Sequence, residues 1–149
     1  PDLDVLMIDM PPGTGDIQLT LAQRIPVTGA VIVTTPQNVA LMDATKGIEL
    51  FNRVHIPVMG VVENMSTHIC SKCGFEEQIF GKGGGGKLSE QYAIPLLGSL
   101  PLNVQIRENA DAGKPSVLVE DSAADRYMQI VEKIAAALPP AEKDQTHIF

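Results

Sequence analysis

Cys70-Ser71-Lys72-Cys73 places two soft ligands at the spacing that lets their thiolates share one metal ion or occupy two corners of an iron–sulfur cluster. The same spacing serves a redox disulfide, but such a pair sits at a helix N-terminus that lowers the first thiol's pKa. Gly74 follows at once and no helical pattern opens at Cys70, so redox chemistry ranks below metal binding and below a plain pair of surface thiols. Two thiolates do not close a tetrahedral site. The remaining ligands must come from His68, from a segment outside this chain, or from a second copy, in which a two-fold axis would supply each cysteine twice.

A second candidate is an acid. Val5-Leu6-Met7-Ile8-Asp9 is four apolar residues followed by a carboxylate, the pattern of a Walker B strand that aims its last side chain at the Mg²⁺ of a nucleotide, usually through water. Many α/β strands also end in Asp, so the neighbours matter. Pro11-Pro12-Gly13-Thr14-Gly15-Asp16 is a turn, stiff and then flexible, that places a glycine N–H just past the strand. Such an N–H could contact a terminal phosphate and move when it leaves. An ordinary strand-to-helix turn capped by Asp16 explains the glycines but not the paired prolines.

Gly81-Lys82-Gly83-Gly84-Gly85-Gly86-Lys87-Leu88 matches the GxxxxGK of a phosphate loop and then fails, because Leu88 stands where a Ser or Thr would bind Mg²⁺. Ser89 is one residue too late, and the preceding Glu76-Glu77-Gln78-Ile79-Phe80 is too polar and short for a buried feeder strand. The segment also comes after the Asp9 strand rather than before it. It reads as a flexible connection into a helix around Leu88 to Tyr92. His55 and His147 read as surface residues, and the methionines as core filler.

The elements that must position these groups read as a βαβ series. Leu3–Ile8, Gly29–Thr34, Pro57–Val62 and Pro95–Gly98 are short apolar runs, expected as strands buried on both faces. Helical spacing runs through Asp16–Ile25, with Asp16 as cap, and through Asn38–Val54 with Leu41, Ala44, Ile48 and Phe51 on one face. A last helix begins after Ser122, which resembles a capping box with Asp125, and carries Tyr127, Ile130, Val131, Ile134 and Leu138 before Pro139-Pro140 stops it. The tail 139–149 is expected to be disordered. Ligands of such open sheets lie beyond the carboxyl ends of the strands, which draws attention to 9–16, 35–38, 63–86 and 100–115.

Composition narrows the class. At 149 residues, 44% hydrophobic and 19% charged, the chain suits one globular domain and excludes a disordered tail or fibrous repeat. Its net charge of -7 argues against a general nucleic-acid surface. No apolar run reaches the roughly 20 residues of a membrane span, so no membrane partner is expected. Two close cysteines and a start without a secretory pattern fit free thiols or a metal in a reducing, cytoplasmic compartment. Because a strand-like run begins at Leu3, right after Pro1, the chain reads as a piece of something longer.

Taken in order, these stretches resemble the Mrp/ApbC family of iron–sulfur cluster carrier ATPases, within the deviant-Walker P-loop group that includes MinD and nitrogenase iron protein. The matching stretches are Asp9–Asp16, Glu63-Asn64-Met65-Ser66, Cys70–Gly74, Phe80–Gly84, Leu97–Leu102, Ile106-Arg107-Glu108 and Asp111–Pro115, running in order from Asp4 to about Leu138. The resemblance implies an α/β, Rossmann-like P-loop NTPase fold, with a mostly parallel sheet and helices on both faces, incomplete at its N-terminus. Residues 1–138 would form the C-terminal part of a single ATPase domain, with the CxxC insertion at about 65–82. Asp9 would be the Walker B carboxylate near Mg²⁺, and Pro12 and Gly13 the switch facing the γ-phosphate of ATP. Asn64 would recognise adenine, with Pro101 and Leu102 lining the base pocket. Cys70 and Cys73 would pair with their counterparts in a homodimer to hold a bridging [4Fe–4S] cluster, passed to apo iron–sulfur proteins or exchanged with cluster-assembly scaffolds. The family's Walker A loop lies upstream of the Asp9 strand, so hydrolysis belongs to a longer protein and this stretch alone should turn over little ATP. The alternative is a ParA/MinD-like ATPase whose CxxC holds a structural, zinc-bridged dimer.

Overall fold

The computed structural model describes residues 3–11, 15–70, 72–119 and 123–139. The expectations placed on Pro12 and Gly13, on Ser122 as a helix cap, and on the tail beyond 139 lie outside the described residues.

Three of the four apolar runs become strands of one parallel sheet. β1 (Ala30–Thr34), β2 (Val58–Glu63) and the strand at Leu96–Ser99, β5, stand in the order β1-β2-β5. Successive residues serve opposite cores, as the two-residue period of a strand requires. Ile32 and Val61 pack with Ala44, Ile48 and Leu88, under α2 (Asn38–Arg53) and α3 (Gly84–Tyr92). Their neighbours Val31 and Val62 turn the other way and pack with Leu97, Leu100 and Ile130, the last from α5 (Ala124–Ala137). The sheet thus has helices on both faces. The amphipathic helix α1 (Asp16–Arg24) adds Ala22 to a smaller cluster with Ala30 and Ile56.

Ile48 is fully buried between the sheet and α2. Ile48→Ala is expected to lower the unfolding free energy by about 2–5 kcal/mol, because a cavity remains where the side chain stood. Urea titration should show the midpoint falling at constant slope.

Leu3–Ile8 departs from its expected buried strand. It pairs with no strand among the described residues, and Leu3 and Met7 are 71% and 73% exposed. An apolar run makes a strand only when a neighbour supplies the other half of the ladder, and none lies beside this one among those residues. The segment is tied to the domain by Gln18, whose Nε2 donates to the Pro11 carbonyl at 3.0 Å. Helix α1 also begins differently: Gly15 is its cap and Asp16 its first residue, where the acid still meets the positive end of the helix.

Four further elements carry no signal in the sequence pattern. Residues His68–Ile69 (β3) and Glu76–Glu77 (β4) form an antiparallel hairpin between β2 and α3. Helix α4 (Val104–Asp111) starts at Asn103, whose side chain accepts from the Gln105 N–H at 2.8 Å. Ser116–Leu118 forms one 3₁₀ turn before α5. On β5, Lys133 of α5 reaches back and donates to the Leu97 carbonyl at 2.7 Å.

Candidate metal and nucleotide site

The chain leaves β2 through Glu63 and Asn64, at the carboxyl end of the sheet, and residues 64–68 are laced to the loop after β5. Asn64 N–H donates to the Thr34 carbonyl at 2.7 Å, and Leu100 N–H to the Glu63 carbonyl at 2.9 Å. Ser66 grips the Leu100 carbonyl twice, through its N–H at 2.9 Å and its hydroxyl at 3.1 Å. Leu102 N–H closes on the Thr67 carbonyl at 2.7 Å, and a parallel bridge joins His68 to Leu102. These bonds set Asn64, the buried Pro101 and the half-buried Leu102 along one end of the sheet. The Asn64 side-chain oxygen accepts from the Met65 N–H at 2.9 Å, which turns the amide back on its own loop. Asp9 is not part of this group: it is exposed, on the unpaired segment.

The cysteines sit at the tip of the β3–β4 hairpin. His68 pairs with Glu77 and Ile69 with Glu76. Beyond them Cys70 N–H donates to the Phe75 carbonyl at 3.0 Å, and Gly74 N–H returns to the Cys70 carbonyl at 2.8 Å. Gly74 has φ 72°, in the left-handed region where glycine turns without strain, which is why it must follow Cys73 directly. Hydrogen bonding from the Lys72 backbone, then the Cys73 backbone and the Cys73 side chain, holds the Cys70 thiol below its ordinary pKa against burial and the charge of Glu77. Both cysteines are free, Cys70 half-buried and Cys73 exposed. Phe75 beside them is 66% exposed.

A thiol held below its ordinary pKa is suited to binding metal, since the thiolate is the ligand form. In the metal-free chain, alkylation of Cys70 by iodoacetamide is expected to reach half its maximal rate at a lower pH when folded than in urea. The folded turn favours the anion and unfolding removes that preference, so the two profiles merge if the turn donates nothing to sulfur. His68 does not complete the set: among the described residues no group of three or more His, Cys, Asp or Glu could hold an ion.

The glycine-rich stretch takes a definite form. Gly83, at φ 64°, caps α3, which opens at Gly84 inside the glycine run rather than near Leu88. A Cβ on Gly84 would lie 2.8 Å from Leu41 Cδ1 and 3.0 Å from Pro36 Cα, so close packing against α2 and the end of β1 explains that glycine. Gly85 N–H donates to Glu63 Oε2 at 2.5 Å, and Glu63 is buried. The first turn of α3 therefore already holds a carboxylate, and the two lysines of the run, Lys82 and Lys87, are exposed. This is not a phosphate loop.

A parallel sheet with helices on both faces is an open α/β architecture, in which ligands lie beyond the carboxyl ends of the strands. A family profile described as "ParA: NUBPL iron-transfer P-loop NTPase" matches residues 1–138, and the chain belongs to that family. The iron-sulfur cluster carrier protein of Escherichia coli strain K12 is 59% identical over 140 residues, covering 93% of this chain and 38% of that protein. The mouse iron-sulfur cluster transfer protein NUBPL is 47% identical over 138 residues, covering 91% of this chain and 43% of the relative. The chain thus spans less than half the length of these relatives. Among solved structures, a nucleotide-binding protein of Archaeoglobus fulgidus in complex with ADP superposes with TM-score 0.71 at 34% identity, over 84% of this chain and 51% of the other. The cell division ATPase MinD of Pyrococcus furiosus, at TM-score 0.58 and 23% identity over 73% of this chain and 43% of its own, shares the fold. No helix among the described residues is long and apolar enough to cross a membrane.

Proposed function

We propose that this chain is the cluster-carrying part of an iron–sulfur carrier, in which a nucleotide at the end of the sheet sets the posture of the cysteine arm. The observation that carries the reading is the direct connection between the two places: Thr67 and His68, bonded to Leu102, stand three and two residues before Cys70. In this reading Asn64, Pro101 and Leu102 bind the base, and the Asn64 side-chain amide supplies the polar contact. Asp9 orients the water shell of Mg²⁺, and Pro12 and Gly13 register the γ-phosphate of ATP. Residues 1–138 act as part of one ATPase domain. Turnover of ATP is assigned to the complete ATPase domain rather than to this stretch; the relatives extend well beyond it.

The cluster is cargo. Cys70 and Cys73 supply two thiolates, and the same two residues of a second copy complete a [4Fe–4S] site across a homodimer in the cytoplasm. Apo iron–sulfur proteins receive the cargo, and assembly scaffolds load it. The names of the relatives support the carrier role, and the preorganised Cys70 thiolate supports the ligand role. Anaerobic reconstitution with iron, sulfide and zinc analysis alongside sedimentation tests it. Four iron and four sulfide per two chains is the expected result. Zinc without sulfide on a dimer would instead establish the zinc-bridged reading, and a metal-free protein would end both.

A further inference from the structure

Two features play no part in the proposed function: a glycine-rich segment that imitates a phosphate loop, and a buried acid next to the proposed adenine residue. They explain each other. Glu63 is 5% exposed and belongs to none of the ion pairs among the described residues. Its carboxylate instead accepts the Gly85 N–H, at the positive end of α3. Gly85 has to be glycine for this approach, since a Cβ there would lie 2.9 Å from Glu63 Cβ.

That bond joins residues 22 apart in sequence and spans the whole excursion that carries the cysteines. The outgoing limb, Asn64 to His68, is held by Thr34, Leu100 and Leu102. On the returning limb, the Gly81 N–H bond goes only to nearby Gln78. Glu63 hydrogen-bonds the return to the end of β2, beside the packing of Gly84 on Leu41 and Pro36 and of Leu88 on Val61. We infer that Glu63 is the positioning residue of the cysteine arm: by seating its carboxylate on the N-terminus of α3, it closes the base of the excursion and fixes where Cys70 and Cys73 stand relative to Asn64. The inference rests on the proposed role of the two cysteines. It also accounts for the GxxxxGK pattern, because the helix start that would cradle a phosphate cradles the chain's own acid.

Amide hydrogen exchange on the intact chain tests it, with Glu63→Ala and Glu63→Gln. In Glu63→Ala, amides 84–88 and 66–70 should exchange at least about tenfold faster, the expected loss of one hydrogen bond to a charged group, while those of Ala30–Thr34 hold their rates. Gln keeps an acceptor oxygen and should restore most of the protection. Formate, compared with chloride at equal ionic strength, should slow exchange in Glu63→Ala and leave the wild type unchanged, because a small carboxylate refills the empty seat. Cobalt binding by Cys70 and Cys73, read from thiolate-to-metal absorption, should weaken in Glu63→Ala and recover with formate. Uniformly faster exchange in every element, or formate acting like chloride, or Gln performing no better than Ala, would each overturn the inference. If Glu63→Ala does not fold, Gly85→Ala replaces it, with the same local loss expected but no rescue by formate, since the carboxylate is still present; rescue there would also count against it. A wild-type chain that binds no cobalt refutes the carrier reading, while the exchange rates still judge Glu63.

Discussion

Replacing Cys70 and Cys73 together with alanine is expected to abolish iron and sulfide retention after anaerobic reconstitution while leaving the fold intact. The two effects separate because of where the cysteines sit. The thiols lie on a hairpin outside the three core clusters, Cys73 exposed and Cys70 half-buried, so their removal opens no cavity. The apo variant should match the wild type within about 0.5 kcal/mol in urea, as surface substitutions do. Each single variant removes two of four thiolates from a shared site. That should weaken retention by more than about 100-fold, beyond the range seen when only the groups supporting a ligand are changed. Colorimetric iron and sulfide per chain, with urea midpoints on the same samples, decides it. Full iron retention in either single variant would show that the four-thiolate arrangement is wrong.

The largest expected loss of stability comes from one added methyl group. A Cβ on Gly60 would lie 2.6 Å from the Pro95 carbonyl oxygen and 2.7 Å from Leu97 Cγ, and Gly60 has φ 153°, a backbone state side chains rarely adopt. The carbonyl cannot retreat freely, because it accepts the Val61 N–H at 2.9 Å and so holds β5 against β2. Gly60→Ala must strain the strand or pull that pairing apart. Overpacking of about 1–3 kcal/mol and backbone strain of similar size give an expected cost of about 2–6 kcal/mol, a large share of a domain's stability. Gly86→Ala is the contrast: nothing lies within 4 Å of its added Cβ, and Gly86 is inside α3. That change should stabilise by about 0.5–1 kcal/mol, because alanine loses less backbone entropy on entering a helix. Thermal and urea unfolding of the two variants should move in opposite directions.

How much of the structure is legible in the sequence depends on whether the determining contact is local. The runs ending at Thr34, Val62 and Gly98 become sheet strands because apolar pattern and available partners agree. Leu3–Ile8 carries the same pattern and stays unpaired, since pattern reports what a segment can bury and not whether a neighbour exists. Helix α4 is silent for the opposite reason: it has no buried residue, so burial imposes no spacing on its sequence. The Cys-x-x-Cys-Gly turn is legible because its chemistry and its geometry lie within five residues. The expected grouping of Asn64 with Pro101 and Leu102 comes from the family resemblance; the structure puts them on loops at the same end of the sheet, and no short-range signal joins them. Glu63 reads in sequence as no more than the end of a strand, because its partner lies 22 residues away behind a glycine whose own signal suggests phosphate.

The hairpin that holds the cysteines is only two residue pairs long, and its described surface from Lys72 to Ile79 is exposed. A ladder that short contributes little by itself. Opening the tip therefore breaks a few solvent-exposed hydrogen bonds and disturbs none of the packing under the sheet, so the local opening free energy is far below that of global unfolding. Under the proposed carrier role, holding and folding are then separate equilibria: the thiolates would meet another set of ligands while the sheet beneath them keeps its shape.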